Sequence, residues 1–428
     1  MKKPEKTKKT SKHYSETRVA RSFSASWRIR MTEAALFFIL ILLLPTQLGR
    51  HFFFPFSYLA GVRVDYLSPT LYLIDIVIFL LALFNIKAVF KFFSEKISGF
   101  FFGLLTLNII FAQSWPLALY GSVRIIEFLI IIALGKKMLS YLNEKLLLVG
   151  FLSSAFIELL LSILQFVFKR SIQGPFYFIG ERLFSLATPG IAKTTFSGIE
   201  FLRPYGSFSH PNSMAGFYLL VYFFVLTRKG FDRYLWLKYL LLLVSTCLIF
   251  ISFSKAAILT FLLLNVLYLF FSGRKNFCRV CVAARIVVMF FVASIFLLAQ
   301  GDPLTAPKRL ELIGNAVEII KKYPLFGVGL NNYLLEQTSF ASKFPLFFNQ
   351  PVHNIFLLLV GEAGIVLTGF ILYFFRKLFP SSIFLLLAVV VTGLFDHYWL
   401  TLVQNFLLMG VVFSTALQDR DAPARSRR

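Results

Sequence analysis

Cysteine, acidic residues and charge in general are scarce in this chain. Three cysteines occur in 428 residues, with Cys247 alone inside an apolar run, so no disulfide framework is expected. Cys278 and Cys281 form a lone CxxC without the second ligand pair that a zinc site needs. Charged residues make up 15% of the chain, against about a quarter in soluble proteins, which argues against a large water-soluble globule. No carboxylate cluster suggests a divalent metal, so none is assigned. No internal repeat is evident. Gly327-Val-Gly329 in YPLFGVGLNNY reads as a tight turn, because no strand precedes it and the full nucleotide-binding glycine fingerprint is missing. Before Met31 stand ten Lys/Arg and two Glu, too long and charged a stretch for an ordinary signal peptide, and no A-x-A-like cleavage site follows.

What the chain has instead is apolar length. Hydrophobic residues make up 58%, aromatics 18%, and the mean hydropathy is +0.76. Runs of membrane-spanning length recur throughout, which predicts an all-α polytopic membrane protein. Twelve spans are expected, near 33–48, 69–86, 99–113, 118–135, 146–167, 211–226, 237–252, 255–271, 286–299, 352–375, 381–396 and 399–416. The expected organisation is a basic tail at 1–32, a membrane domain at 33–416 and a tail at 417–428. With the N-terminus inside, the inner segments hold more than twice the Lys/Arg of the outer ones, which accounts for the net charge of +24 without nucleic acid. Both termini are then cytoplasmic. Two long outer loops, 168–210 and 300–351, are the expected seat of function. In the second, Leu310, Ile313, Val317 and Ile320 recur at helical spacing, which predicts an amphipathic helix lying on the outer membrane face or packed on protein.

Even-numbered spans begin at the outer face, and three of these beginnings are polar. Pro211 suits a first helical position with His210 as cap. Ser254 can cap a helix that Lys255 opens. Pro351 suits another first position, placing His353 in the first turn. Helix N-termini attract anions, so a cation such as Lys255 or Arg203 beside one calls for a phosphate or diphosphate between them; snorkelling to headgroups is the bland alternative. His353, kept neutral by the helix end, is the candidate base, or else a capping histidine. His210, Asn212 and Asn354 are candidate caps and orienting groups. Glu362 falls on the opposite side of the helix from His353. Arg124 and Glu127 are expected to pair. Asp75 and Glu158 are intramembrane carboxylates that form no evident relay.

RPYGSFSHPNSMAG, SFSKAAILTF, KKYPLFGVGLNNY and QPVHNIFLLLVGEAG stand in the order found in bacterial O-antigen ligases and polymerases, and the chain resembles that superfamily from about Arg203 to Gly364. The resemblance implies a metal-independent, cofactor-free membrane glycosyltransferase. Such enzymes move a glycan from undecaprenyl diphosphate to an acceptor hydroxyl at the outer face of the bacterial inner membrane. It implies His353 as base, Arg203 and Lys255 on the diphosphate, and Asp396 as the acidic residue near the end of the eleventh span; His210, a weaker base candidate by its position, is grouped with the diphosphate ligands. Lys255 stands where the family has arginine, which keeps the charge and loses the bidentate fork. The acceptor, a lipid, glycan or protein, separates ligase from polymerase, and a flippase for lipid-linked sugars is the alternative from another class.

Overall fold

The structure, a computed structural model, describes residues 30–196, 198–271, 279–298, 305–344, 349–376 and 383–421. It is a helical bundle. Helix α1 covers 30–43; α2 Leu73–Phe84, α3 Ile86–Phe93, α4 Lys96–Ile110, α5 Trp115–Tyr141 and α6 Glu144–Phe168 follow. Then come α7 Pro211–Thr227, α8 Leu235–Ile251, α9 Lys255–Phe271, α10 Arg279–Leu298, α11 Thr305–Lys322 and α12 Tyr333–Gln337. The last are α13 Ile355–Phe375, α14 Ile383–Gly393, α15 Tyr398–Thr401 and α16 Val403–Asp421. Strands are confined to connecting segments. They form three antiparallel ribbons, β1 Gly49–His51 with β4 Thr70–Tyr72, β2 Tyr58–Leu59 with β3 Val62–Arg63, and β5 Lys193–Phe196 with β6 Ile199–Leu202.

Among the described residues, four helices are long and apolar enough to cross a membrane: Trp115–Tyr141, Glu144–Phe168, Lys229–Ile251 and Ile355–Phe374. The pair α2–α3 makes a fifth candidate, but it bends by 88° at Asn85. Asn85 turns its amide back to the Leu81 carbonyl at 2.8 Å, and such local bonding competes with helix continuation. Six further apolar helices are shorter, 10–17 residues. The expected second span, 69–86, is corrected at both ends: residues 70–72 pair as a strand, and the helix breaks at Asn85.

The bundle is organised around α7, in which every residue from Ser213 to Leu226 is buried. A helix apolar all round is stable only when enclosed, and here α8, α9, α14 and α16 enclose it. The termini of these helices use local signals. Asn143 accepts the Leu146 N–H at 2.9 Å to start α6, and Pro211 opens α7 behind a His210 cap.

Two expectations about helix starts and faces change. Asn354 is the cap of α13, accepting the Phe356 and Leu357 N–H groups at 3.0 and 3.1 Å. His353 therefore precedes the helix rather than lying in its first turn, because the asparagine carboxamide satisfies two orphan amides at a position the Pro351 rule had assigned to helix. In α11 the buried stripe is Leu312, Ala316 and Ile319, packed against the α12–α13 region, while Leu310, Ile313 and Val317 stay exposed. The face packed on protein is thus a different stripe from the one the spacing marked, and Leu310, Ile313 and Val317 of the expected stripe are left bare.

The YPLFGVGLNNY turn docks against a kink in α13. Gly327, Gly329 and Gly364 have φ of 70°, 97° and 69°. The kink exposes backbone groups that the turn satisfies: Val328 N–H donates to the Gly361 carbonyl at 2.9 Å and Ile365 N–H to that of Pro324 at 2.8 Å. A Cβ on Gly364 would lie 2.2 Å from the Leu325 carbonyl oxygen. Gly364→Ala is therefore expected to destabilise the protein by about 3 kcal/mol or more, read as a fall in melting temperature; an unchanged melt would remove the kink as a structural requirement.

Candidate functional site

The stretch from Arg203 to Phe217 is held from beneath by α6. Gln165 Oε1 accepts the Tyr205 and Gly206 N–H groups, each at 2.9 Å, and its amide donates to the Gly206 carbonyl at 2.9 Å and to Glu181 Oε1 at 2.8 Å. Two turns earlier, Glu158 accepts the Ser207 N–H at 2.9 Å and the Ser207 hydroxyl at 2.5 Å. That accounts for a carboxylate whose sequence context suggested nothing: it ties a loop to the bundle. Gly206, at φ 59°, lies so close that a Cβ would sit 2.3 Å from Glu158 Oε2.

On this support Arg203 makes two directional bonds. Its Nε donates to the Ser252 carbonyl at 2.9 Å, at the turn between α8 and α9, and one terminal nitrogen donates to Asn212 Oδ1 at 2.6 Å. That turn carries Phe253 at φ 52°, an uncommon conformation for a phenylalanine. Lys255 begins α9 three residues beyond the carbonyl that Arg203 holds, and it is exposed. Asn212 then passes the contact on, its amide donating to Asp396 Oδ2 at 2.9 Å. Asp396 Oδ1 stands 3.5 Å from His353 Nδ1 and accepts the His397 N–H at 2.8 Å. The His353 and His397 rings are 5.1 Å apart, and His397 Nδ1 meets Thr401 Oγ1 at 2.8 Å. The start of α7, the α8–α9 turn, the residues before α13 and the α14–α15 connection thus meet in one place.

Electrostatics divide the roles. Burial alone would raise the Asp396 pKa, but His353, with His397 and His210 beyond it, outweighs that and holds the carboxyl well below its usual range. Burial pushes His397 down to about 4 and, with Arg203 adding to it, His210 down to about 3. His210 also accepts the Asn212 N–H through Nδ1 at 3.1 Å, so it enters as a neutral cap and lends no positive charge to an anion site. Burial lowers Arg203 to about 10, and Arg309 acts in the same direction. Arg309 also lowers His397. It comes from α11 and acts on this cluster through its charge, a cation that its own sequence neighbourhood marks only as part of an amphipathic helix.

Of the expected residues, Arg203, Asn212, Asp396, His353 and His210 come together directly. Asn354 caps α13 and donates to the Leu394 carbonyl at 3.3 Å, which ties the start of α13 to the end of α14. Glu362 is remote from the cluster and accepts from the Tyr66 hydroxyl. Arg124 pairs with Glu127 as expected, at 2.6 Å, and also with Asp75 at 2.7 Å. His397, Arg309 and Gln165 carry no sequence signal that isolates them. His353, Asp396 and His397 also present ligand atoms within 4.8 Å of one another, a spacing that admits a cation. Arg203 and Arg309 oppose one there. Of the Cys278/Cys281 pair, Cys278 and the side chain of Cys281 lie outside what the structure describes.

No curated protein matches this chain. Residues 239–374 match the family model described as O-antigen ligase, a segment that holds Lys255, Arg309, His353 and Asn354. Residues 239–374 of this chain, which has four helices long and apolar enough to cross a membrane among its described residues, therefore carry an O-antigen ligase domain.

Proposed function

We propose that this protein transfers a glycan from undecaprenyl diphosphate to an acceptor hydroxyl at the outer face of the bacterial inner membrane. In this reading the chain crosses twelve times with both termini inside, and its site faces outward. Arg203 binds the diphosphate with Lys255, Arg309 adds a third cation, and His210 provides a neutral ring beside it. His353 accepts the acceptor's proton as its oxygen attacks the anomeric carbon. The bond from that carbon to the diphosphate oxygen breaks, and the lipid diphosphate leaves with the bonding electrons, which the cations stabilise. Asp396 keeps the His353 ring oriented and stabilises its protonated form, and Asn212 links that carboxylate to Arg203. The observation that supports this reading is the path Arg203–Asn212–Asp396–His353, which brings a guanidinium, a carboxyl group and an imidazole together across three chain segments.

The test is transfer by the purified protein from an undecaprenyl-diphosphate glycan to a panel of acceptors, with EDTA present. Turnover unaffected by EDTA is expected, and the productive acceptor separates a ligase from a polymerase. Loss of turnover in EDTA, restored by a transition metal, would favour a metal held by His353, Asp396 and His397. Translocation of the lipid without turnover would favour a flippase. Arg203→Ala, which removes the guanidinium held on Ser252 and Asn212, is expected to raise donor KM at least tenfold. An unchanged donor KM in this variant would remove Arg203 from diphosphate binding.

A further inference from the structure

Helix α3 takes no part in anything above. It continues α2 but leaves it at 88°, so the chain turns through about a right angle at Asn85. Its level is set by α5, whose 27 residues, about 40 Å of axis, are long and apolar enough to cross a membrane. Helix α2 is tied to α5 at both ends. Asp75 meets Arg124 at 2.7 Å, and Asn85, where the bend falls, accepts from Lys137, which also holds Glu33 at 3.1 Å. Lys137 stands four residues before Tyr141, the end of α5, beside the exposed Lys136. Charged groups gather where a span leaves the bilayer rather than at its middle, and a helix turned through a right angle there runs along the surface. In the twelve-span reading this is the cytoplasmic surface.

The faces of α3 suit that place. Val89 is buried in the main core and Phe93 packs against it. Ile86 and Phe90, four residues apart, are 44% and 67% exposed, and the exposed Lys87 and Lys91 form the next strip round the helix. Such a helix offers one side to protein, one to acyl chains and one to headgroups. Exposed Glu95 and Lys96 follow, so residues 86–96 carry three lysines against one glutamate. Among the described residues none of these lysines is ion-paired, which leaves their charge for an anion.

We infer that α3 lies in the plane of the bilayer surface, with Ile86 and Phe90 among acyl chains and Lys87 and Lys91 on the phosphates of anionic lipids. The inference rests on α5 crossing the bilayer and is independent of the transfer reaction.

The experiment places single nitroxide labels in the full chain, its three cysteines replaced by serine, in lipid nanodiscs. The lipid is phosphatidylcholine alone or an equal mixture with phosphatidylglycerol. Collisions with oxygen, which concentrates among acyl chains, are compared with collisions with a water-soluble nickel chelate. In the mixed bilayer the oxygen-to-nickel ratio at Phe90→Cys is expected to exceed that at Lys91→Cys about threefold or more. It should fall about twofold in phosphatidylcholine alone, and Lys87→Gln with Lys96→Gln should produce the same fall in the mixture. A label at Val123, an exposed position within α5, should be oxygen-rich in both bilayers, and melting temperatures report folding of each variant. Equal ratios at Phe90 and Lys91 would overturn the placement, nickel-rich labels putting α3 in water and oxygen-rich ones inside the bilayer. Exclusion of both probes at Phe90 would also overturn it, by showing that protein covers this face. A ratio at Phe90 indifferent to phosphatidylglycerol would remove the anionic lipid. A nickel-rich label at Val123 would instead withdraw the span on which the placement rests.

Discussion

Replacing His353 by alanine is expected to lower the transfer rate by about 10²–10⁴-fold while donor KM changes little. His353 supplies the only base in the proposed reaction, and it reaches the site from a segment outside any helix, just before the Asn354 cap. The variant should fold, because the ring is only partly buried and α13 is capped without it. Asp396→Asn keeps the shape and the Asn212 contact while removing the charge that faces His353 at 3.5 Å. It should fall between wild type and His353→Ala, again in kcat rather than donor KM. Single-turnover rates with saturating donor make the measurement. A His353→Ala rate within threefold of wild type would eliminate it as base, and an equal loss in His397→Ala alone would transfer the role to its neighbour.

Gln165→Leu is expected to have the largest effect on the site of any change outside it. The substitution leaves the Tyr205 N–H, the Gly206 N–H and the Gly206 carbonyl without their partner, and removes one bond to Glu181. Each such buried group costs about 1–3 kcal/mol, so the loop should open more readily by about 3 kcal/mol or more, roughly 100-fold faster amide exchange over 203–209. Arg203, two residues from the lost bonds, would no longer be held on Ser252 and Asn212, and donor KM should rise. Exchange at wild-type rates in this variant would show that Glu158 and the α7 start hold the loop without Gln165.

Much of this protein follows from patterns short enough to be read in sequence. Apolar runs announce most of the helices because a lipid-exposed backbone has to satisfy its own hydrogen bonds. Pro211 and His210 mark the start of α7, and glycine spacing marks the 327–329 turn, since these signals act over four residues or fewer. The His353–Asn354 pair was legible as a polar helix start, but which of the two caps was not, because proline at a favourable position and asparagine at a favourable position compete locally. The break of α2 at Asn85 and the kink at Gly364 were missed for a related reason. Hydrophobicity measures run length, whereas a bend depends on what meets the freed backbone: at Asn85 its own side chain bonds back to Leu81, and at Gly364 a turn some forty residues earlier docks on the kink.

Residue composition pointed to a helical protein with membrane-spanning runs, and the order of short motifs pointed to the O-antigen ligase domain that residues 239–374 match. The site was decided only by tertiary structure. Arg203 to Asp396 spans nearly two hundred positions, and the contact through Asn212 exists because α7 is enclosed by helices that bring their ends to the same level. Arg309, His397 and Gln165 acquire their places in the same way. A cation on an amphipathic helix, a histidine after an aspartate and a glutamine within an apolar run carry no distinguishing neighbours, and their partners lie on other elements. A cavity that Thr401 helps to line is the plainest case, since its walls are ordinary residues of separate elements that become one surface only where α3, α4, α5, α13 and α16 leave space between them.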